Sequence, residues 1–248
     1  MSTKLKKAIE ILKKDGLLIL TKKSFNKTTK FIYYPICFSK VKKFNSFNIK
    51  NLINFVFNDC HGLIKPAQVE YEISELLKIL DKQKPKFLLE IGTAKGGTLF
   101  LFSKIAYDDA FIISVDLPGG KFGAGYPSWK IKLYKSFVKI NQKINLIRAN
   151  SHDNTTLENV KSLLGKNKLD FLFIDGDHTY DGVKKDFGMY SPLVKKGGII
   201  ALHDIAKHPL QSDCKVNKFW DEIKSNYKSE EIIEDKNQGW AGIGLIKK

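Results

Sequence analysis

Five ionisable side chains stand at the ends of two apolar runs. Phe171 to Ile174 gives way to Asp175, Asp177 and His178, and about thirty residues later the run from Gly197 to Leu202 ends in His203 and Asp204. Carboxylates and imidazoles are the groups that move protons and hold cations. Charge placed beside a core is costly without a use for it. In an open parallel sheet, ligands sit just beyond the carboxyl ends of the strands. The two runs therefore read as neighbouring strands whose ends make one polar site on an apolar platform. The competing reading is turn and cap chemistry, for which Asp-Gly is also common.

A second group lies earlier. Glu90, Gly92, Thr93, Gly96, Gly97 and Thr98 fall between an apolar run and a helical pattern. Glycines there let the backbone approach a ligand closely, and the helix start offers free amide donors. The spacing is not the Gly-x-Gly-x-x-Gly of a dinucleotide fold. Asp116 follows about twenty residues past the turn, where a carboxylate can accept both hydroxyls of a ribose. Its alternative role is a cap or turn residue before Pro118.

Positioning these groups requires strands that end on one rim, and the hydrophobic pattern supplies them. Strands are expected at 86–91, 110–115, 144–149, 169–174 and 199–202, with two more at 232–233 and 241–246. Helices are expected at 66–80, 98–106, 129–140, 155–164, 181–190 and 216–227. This alternation argues for a parallel sheet covered on both faces. Right-handed crossovers would put the strand ends together. The loop 117–128 is rich in Gly and Pro. Phe122, Tyr126 and Trp129 around it either close over a ligand or pack on the neighbouring helix.

The ordered set Glu90 to Thr98, Asp116, Asp175 to Tyr180 and Leu193 to Gly198 resembles the class I S-adenosylmethionine-dependent methyltransferases over residues 66–248. The likeness sharpens toward the caffeoyl-CoA/catechol-type O-methyltransferases and the cephalosporin hydroxylase-like methyltransferases. It implies a Rossmann-like, seven-stranded, mostly parallel sheet with helices on both faces, and S-adenosylmethionine as cofactor. By this resemblance Glu90 holds the loop, and Gly92, Gly96 and Gly97, with Thr93 between them, pass under the methionine moiety. Asp116 takes the ribose, while Ser151 and His152 after Asn150 edge the adenine. Asp175 borders both cofactor and acceptor. Pro66-Ala-Gln68 is similar to the segment those enzymes fold over the cofactor. In the metal-dependent relatives Asp175 and Asp204 would hold Mg²⁺, which lowers the pKa of the acceptor hydroxyl. His178 falls where a lysine base is placed, and an imidazole suits that role. His203 stands where a carboxylate is expected. The site could therefore bind a softer ion through Asp175, His203 and Asp204, use fewer ligands, or work without metal, with His178 or His203 as base. Asp177 either orients His178 or caps the next helix. A zinc set of His203, His208 and Cys214 has no familiar spacing.

The resemblance implies an enzyme that methylates a hydroxyl of a small molecule or sugar precursor. Two other readings compete: an RNA or protein methyltransferase steered by basic charge, and a cofactor-binding scaffold without turnover at a membrane surface. Of the chain's +16 charge, +11 lies in residues 1–65, and Arg148 is the only arginine among 42 basic residues. Nucleic-acid readers favour the guanidinium fork, so there is no firm nucleic-acid signal, and a lysine-rich genome bias accounts for the same numbers. Residues 1–65 read as a basic helical extension, including an amphipathic helix at 4–20. That helix would lie on an anionic membrane or pack on the main domain or a second copy in a homo-oligomer. Three scattered cysteines, with no apolar run of spanning length and no signal sequence, suit a cytoplasmic protein.

Overall fold

The computed structural model describes residues 32–120, 122 and 125–248; the helix expected at residues 4–20 lies outside them. Seven strands form one sheet: β1 (Phe87–Ile91), β2 (Phe111–Val115), β3 (Lys143–Ile147), β4 (Leu169–Ile174), β5 (Val194–His203), β6 (Lys228–Ile232) and β7 (Ile243–Lys247). Their order is β3-β2-β1-β4-β5-β7-β6. β1 to β5 pair in parallel, and β7 runs antiparallel to both β5 and β6. The order reverses between β1 and β4, so a cleft opens there above the carboxyl ends of the strands.

Side chains alternate across the central strands, as a period of two requires. One face carries Leu88, Ile112, Phe171, Phe173 and Ala201. It is covered by α1 (residues 32–43), α2 (Ile49–Asn54), α3 (Glu70–Gln83), α4 (Gly97–Ile105) and α5 (Ile131–Lys135). The other face carries Leu89, Ile113, Leu172, Ile174 and Leu202 beneath α6 (Asn154–Leu164), α7 (Tyr180–Tyr190) and α8 (Val216–Ile223). Central strands buried on both sides explain the near-continuous apolar runs of the sequence.

The charge boundary at residue 65 does not coincide with a gap in packing. Cys37, Val41, Leu52, Val56, Leu63 and Ile64 share one core with Phe100 and Phe173. Phe100 stacks on Phe55 at 5.1 Å and meets Phe137 edge-on at 5.2 Å, arrangements each contributing about 1 kcal/mol beyond area burial.

Several element limits differ from the pattern's expectation. The helix expected from Pro66 starts at Glu70, because Gln68 turns its amide toward the strand ends. The helix expected to reach residue 140 stops at Lys135. There the Ser136 hydroxyl donates back to the Leu133 carbonyl at 2.6 Å, a local bond that competes with the next helical turn. β6 is a polar edge strand rather than the pair at 232–233; its exposed Lys228, Ser229, Glu230 and Glu231 gave no apolar signal.

Candidate active site

β4 and β5 deliver the polar cluster. Their register places Ile174 beside Leu202, so Asp175 and His203 emerge next to each other. His203 Nδ1 donates to Asp175 Oδ1 at 3.0 Å and lies 3.5 Å from Asp204 Oδ1. His178 Nδ1 bonds Asp204 Oδ2, while its Nε2 sits 3.9 Å from Asp175 Oδ1. Asp204 adopts φ +65°, which turns its carboxylate back to accept from the Ala241 amide at 3.1 Å. Gln68 Nε2 closes the network on Asp175 Oδ2 at 2.9 Å.

These contacts set the charge states. Burial would lower the His203 pKa, but the carboxylates of Asp175 and Asp204 outweigh it and hold the ring well above its usual value. Burial acts the same way on His178. There the Asp204 bond, the Cys214 contact and the Asp175 charge raise the pKa to about 10. Burial would raise Asp204, yet His203, His178 and His208 drive it far below the ordinary carboxylate range. Both imidazoles are thus biased toward the protonated form. The partner that raises His178, Asp204, lies 26 residues away and left no sign in the sequence.

The second group sits across the same cleft. Asp116 Oδ2 accepts from the Ala94 amide at 2.8 Å, and burial pushes its pKa up to about 6. Glu90 is buried at 2% exposure; it accepts from the Thr98 hydroxyl, and burial raises it to about 8. Its Oε2 has no protein partner. Thr93 bonds Ser114 inside the sheet rim. Gly92, at φ +93°, lets β1 leave the sheet beside β4: a Cβ there would stand 1.9 Å from the Asp175 carbonyl oxygen. Gly96 and Gly97 answer to other neighbours, the Tyr134 ring and the backbone at Ile64 to Pro66. His152 Nε2 lies 3.2 Å from the Gly182 carbonyl and 3.4 Å from the fully buried Asp186.

A cleft of about 480 Å³ joins the two groups. Gly92, Asp116, Ser151, His152, Asp175, His178, His203 and Asp204 all line it. Glu90, Thr93, Gly96 and Gly97 lie behind its wall. Asp177 neither orients His178 nor caps α7 itself: its Oδ1 accepts from the Thr179 amide and hydroxyl at 2.9 and 2.8 Å, and Thr179 is the residue that caps the helix. The loop after β2 divides its aromatics. Phe122 lies over His178 at 4.9 Å, whereas Tyr126 packs on Tyr134 and Trp129 on Tyr34.

Sequence reasoning overlooked three contributors. Gln68 as the partner of Asp175 was hidden by 107 residues of separation. Trp240, from the turn before β7, lines the cleft. Glu72 holds that segment through the Gly242 amide at 2.9 Å and the Gln238 amide group at 2.7 Å. A Glu on the apolar face of α3 was the available signal. The zinc set does not assemble, since His203 turns to Asp175 while His208 meets Cys214 at 3.4 Å.

The cleft's size and lining suit a nucleoside-bearing ligand, with the Asp116 carboxylate on one side and the orphaned Glu90 Oε2 behind the turn. Mg²⁺ fits less well. Asp175, His203 and Asp204 offer ligand atoms within 4.8 Å of one another. Each carboxylate oxygen, however, already has a protein partner: Gln68 and His203 on Asp175, His178 and the Ala241 amide on Asp204. A hard octahedral ion demands oxygen ligands, and these oxygens are committed to nitrogen donors. The donor set does not fit Mg²⁺.

Comparison with known proteins agrees with this geometry. Residues 89–205 match the family model described as a methyltransferase domain. An uncharacterized protein of Acanthamoeba polyphaga mimivirus is 33% identical over 126 residues, which are 47% of this chain and 50% of that protein. The chain thus spans about half the length of that curated relative. Two solved structures share the fold. One is a putative caffeoyl-CoA O-methyltransferase from Staphylococcus aureus, at 22% identity and TM-score 0.56, covering 82% of this chain and 93% of that one. The other is an O-methyltransferase from Bacillus cereus in complex with S-adenosylhomocysteine, at 14% identity and TM-score 0.53, covering 82% and 92%.

Proposed function

We propose that this chain carries a methyltransferase domain of the class I S-adenosylmethionine-dependent family and that it methylates a hydroxyl of a small molecule or sugar. One observation carries this reading: the Asp116 carboxylate and the Asp175–His178–His203–Asp204 group line a single cleft. S-adenosylmethionine supplies an electrophilic methyl group when bound.

The chain's own residues do the rest. Asp116 accepts the ribose hydroxyls, and Ser151 and His152 border the adenine. The turn held by Glu90, Gly92 and Thr93 presents backbone amides, with Gly96 and Gly97 allowing its close packing. Ala67 lines the cleft beside Gln68, which steadies Asp175. Phe122, Leu117 and Trp240 exclude water around the acceptor.

In-line transfer then needs an aligned oxygen and a home for one proton. His178 Nε2 receives that proton, since Nδ1 is already committed to Asp204 and fixes the tautomer. The ring must first surrender its resting proton. A positive charge entering the cleft weakens the imidazolium's hold on it. General-base catalysis of this kind contributes about 10²–10⁴-fold.

Titration calorimetry with S-adenosylhomocysteine, followed by transfer of labelled methyl groups to a panel of phenols and sugars, tests the proposal. Binding that Asp116→Ala abolishes, with transfer that His178→Ala abolishes while binding persists, supports it. No cofactor binding at millimolar concentration overturns it. Chelation is expected to leave transfer unchanged.

A further inference from the structure

His203 is the imidazole of the polar cluster with a buried, unanswered nitrogen. The residue is 4% exposed and lines the cleft, yet its Nε2 has no hydrogen-bond partner. Leaving a buried polar group unpaired is costly, so such atoms call for an explanation in a ligand. Its other nitrogen is locked: Nδ1 donates to Asp175 at 3.0 Å with Asp204 Oδ1 at 3.5 Å. Those two carboxylates face it from the ends of β4 and β5. The remaining titratable side chains facing the cluster, His178 and His208, engage Asp204. A ring flanked by two carboxylates carries both protons, and Nε2–H is then a cationic donor in the cleft wall.

We infer that His203 Nε2–H binds the acceptor oxygen and acts as its electrophile, in the place a divalent cation would otherwise fill. The inference rests on the hydroxyl-methylating reading above and adds the residue that makes the hydroxyl acidic. A buried imidazolium lowers the hydroxyl's pKa by stabilising the developing oxyanion, and it needs no metal because the Asp175 and Asp204 oxygens are spent on nitrogen donors. It also selects the acceptor: a hydroxyl that becomes anionic, or an oxygen that is already anionic, gains most from a cationic donor. Once His178 has released its resting Nε2 proton to solvent, the acceptor's proton passes to Nε2, the oxygen bonds the methyl carbon, and the carbon–sulfur bond breaks with its electron pair left on sulfur. His203 keeps its proton throughout.

Two variants test this in the full chain. His203→Asn removes the cationic donor, and His203→Asp frees an oxygen set for a cation. Mn²⁺ binding, read by electron paramagnetic resonance, is measured beside calorimetry with S-adenosylhomocysteine, which reports folding and the cofactor reading independently. The inference expects no Mn²⁺ binding by the wild type at 1 mM (about the concentration of a weak site) and at least tenfold tighter binding by His203→Asp. It expects His203→Asn to keep its cofactor affinity within about threefold while kcat falls by about 10²–10³-fold, the loss typical of one oxyanion donor. Tight Mn²⁺ binding by the wild type overturns the inference, as does failure of folded His203→Asp to bind the ion. Undiminished kcat in His203→Asn overturns it too. A protein that binds no S-adenosylhomocysteine fails the cofactor reading instead, a result the Mn²⁺ data cannot mimic.

Discussion

The most decisive perturbation is at Asp116. Its carboxylate ends β2 on the cleft wall and accepts the Ala94 amide at 2.8 Å. Burial has already raised its pKa to about 6, so the ion is held at a cost that a ligand can offset. Charge-assisted hydrogen bonds contribute about 1.5–3 kcal/mol each. Losing the ribose bonds in Asp116→Ala should therefore cost about 3 kcal/mol in total, or about 150-fold in S-adenosylhomocysteine affinity. Asp116→Asn keeps one acceptor oxygen and should lose about tenfold. The sign of the pH effect follows from which form binds. Wild-type affinity should be level above pH 7 and fall about tenfold per unit below about 6, as the carboxylate is protonated. That step should vanish in Asp116→Asn. Calorimetry at pH 5, 6, 7 and 8 measures both effects. Affinity of Asp116→Ala within threefold of the wild type, or an acid step that persists in Asp116→Asn, would refute the assignment.

Further outcomes follow from the same geometry. With His178 raised to about 10, the base-competent neutral ring grows with pH. kcat/KM should thus climb about tenfold per unit between pH 7 and 9, and a flat profile would exclude His178 as base. Glu90, raised from 4.5 to about 8, binds an extra proton in the folded state across that window, so its contribution falls as pH rises through it. Glu90→Gln should gain on the wild type toward alkaline pH, by up to about 4 kcal/mol above pH 8, as urea melts at pH 5 and 9 will show. Gly92→Ala must place a methyl group 1.9 Å from the Asp175 carbonyl oxygen at φ +93°; a loss of about 3 kcal/mol or failure to fold is expected in the same melts. The His152 pKa, held up chiefly by the Asp186 bond, should drop in Asp186→Asn when followed by NMR.

Much of the scaffold was legible because each signal was local. The span of β4 was read residue for residue, since Leu169 and the apolar run from Phe171 to Ile174 lie between Lys168 and Asp175. Elements held by distant partners were misjudged. α5 ends early through Ser136 and a buried Phe137, and β6 pairs through its backbone, which leaves no apolar trace.

The site divides the same way. Residue types and their order along the chain were enough to select Asp116, Asp175, His178, His203 and Asp204, because strand ends in a parallel sheet share a rim whatever the details. Their pairing was not in that order. Whether Asp175 and Asp204 hold a cation or two imidazoles depends on rotamers and on distances of 3.0 to 3.5 Å. Gln68 arrives from 107 residues away and the Ala241 amide from 37. Charge state depends on burial and on the nearest opposite charge, and both exist only once the chain has folded. The sequence by itself therefore determined which groups meet at the rim. Only the tertiary structure decided which of them are already partnered, which carry protons, and that His203 Nε2 is buried in the cleft wall without a partner.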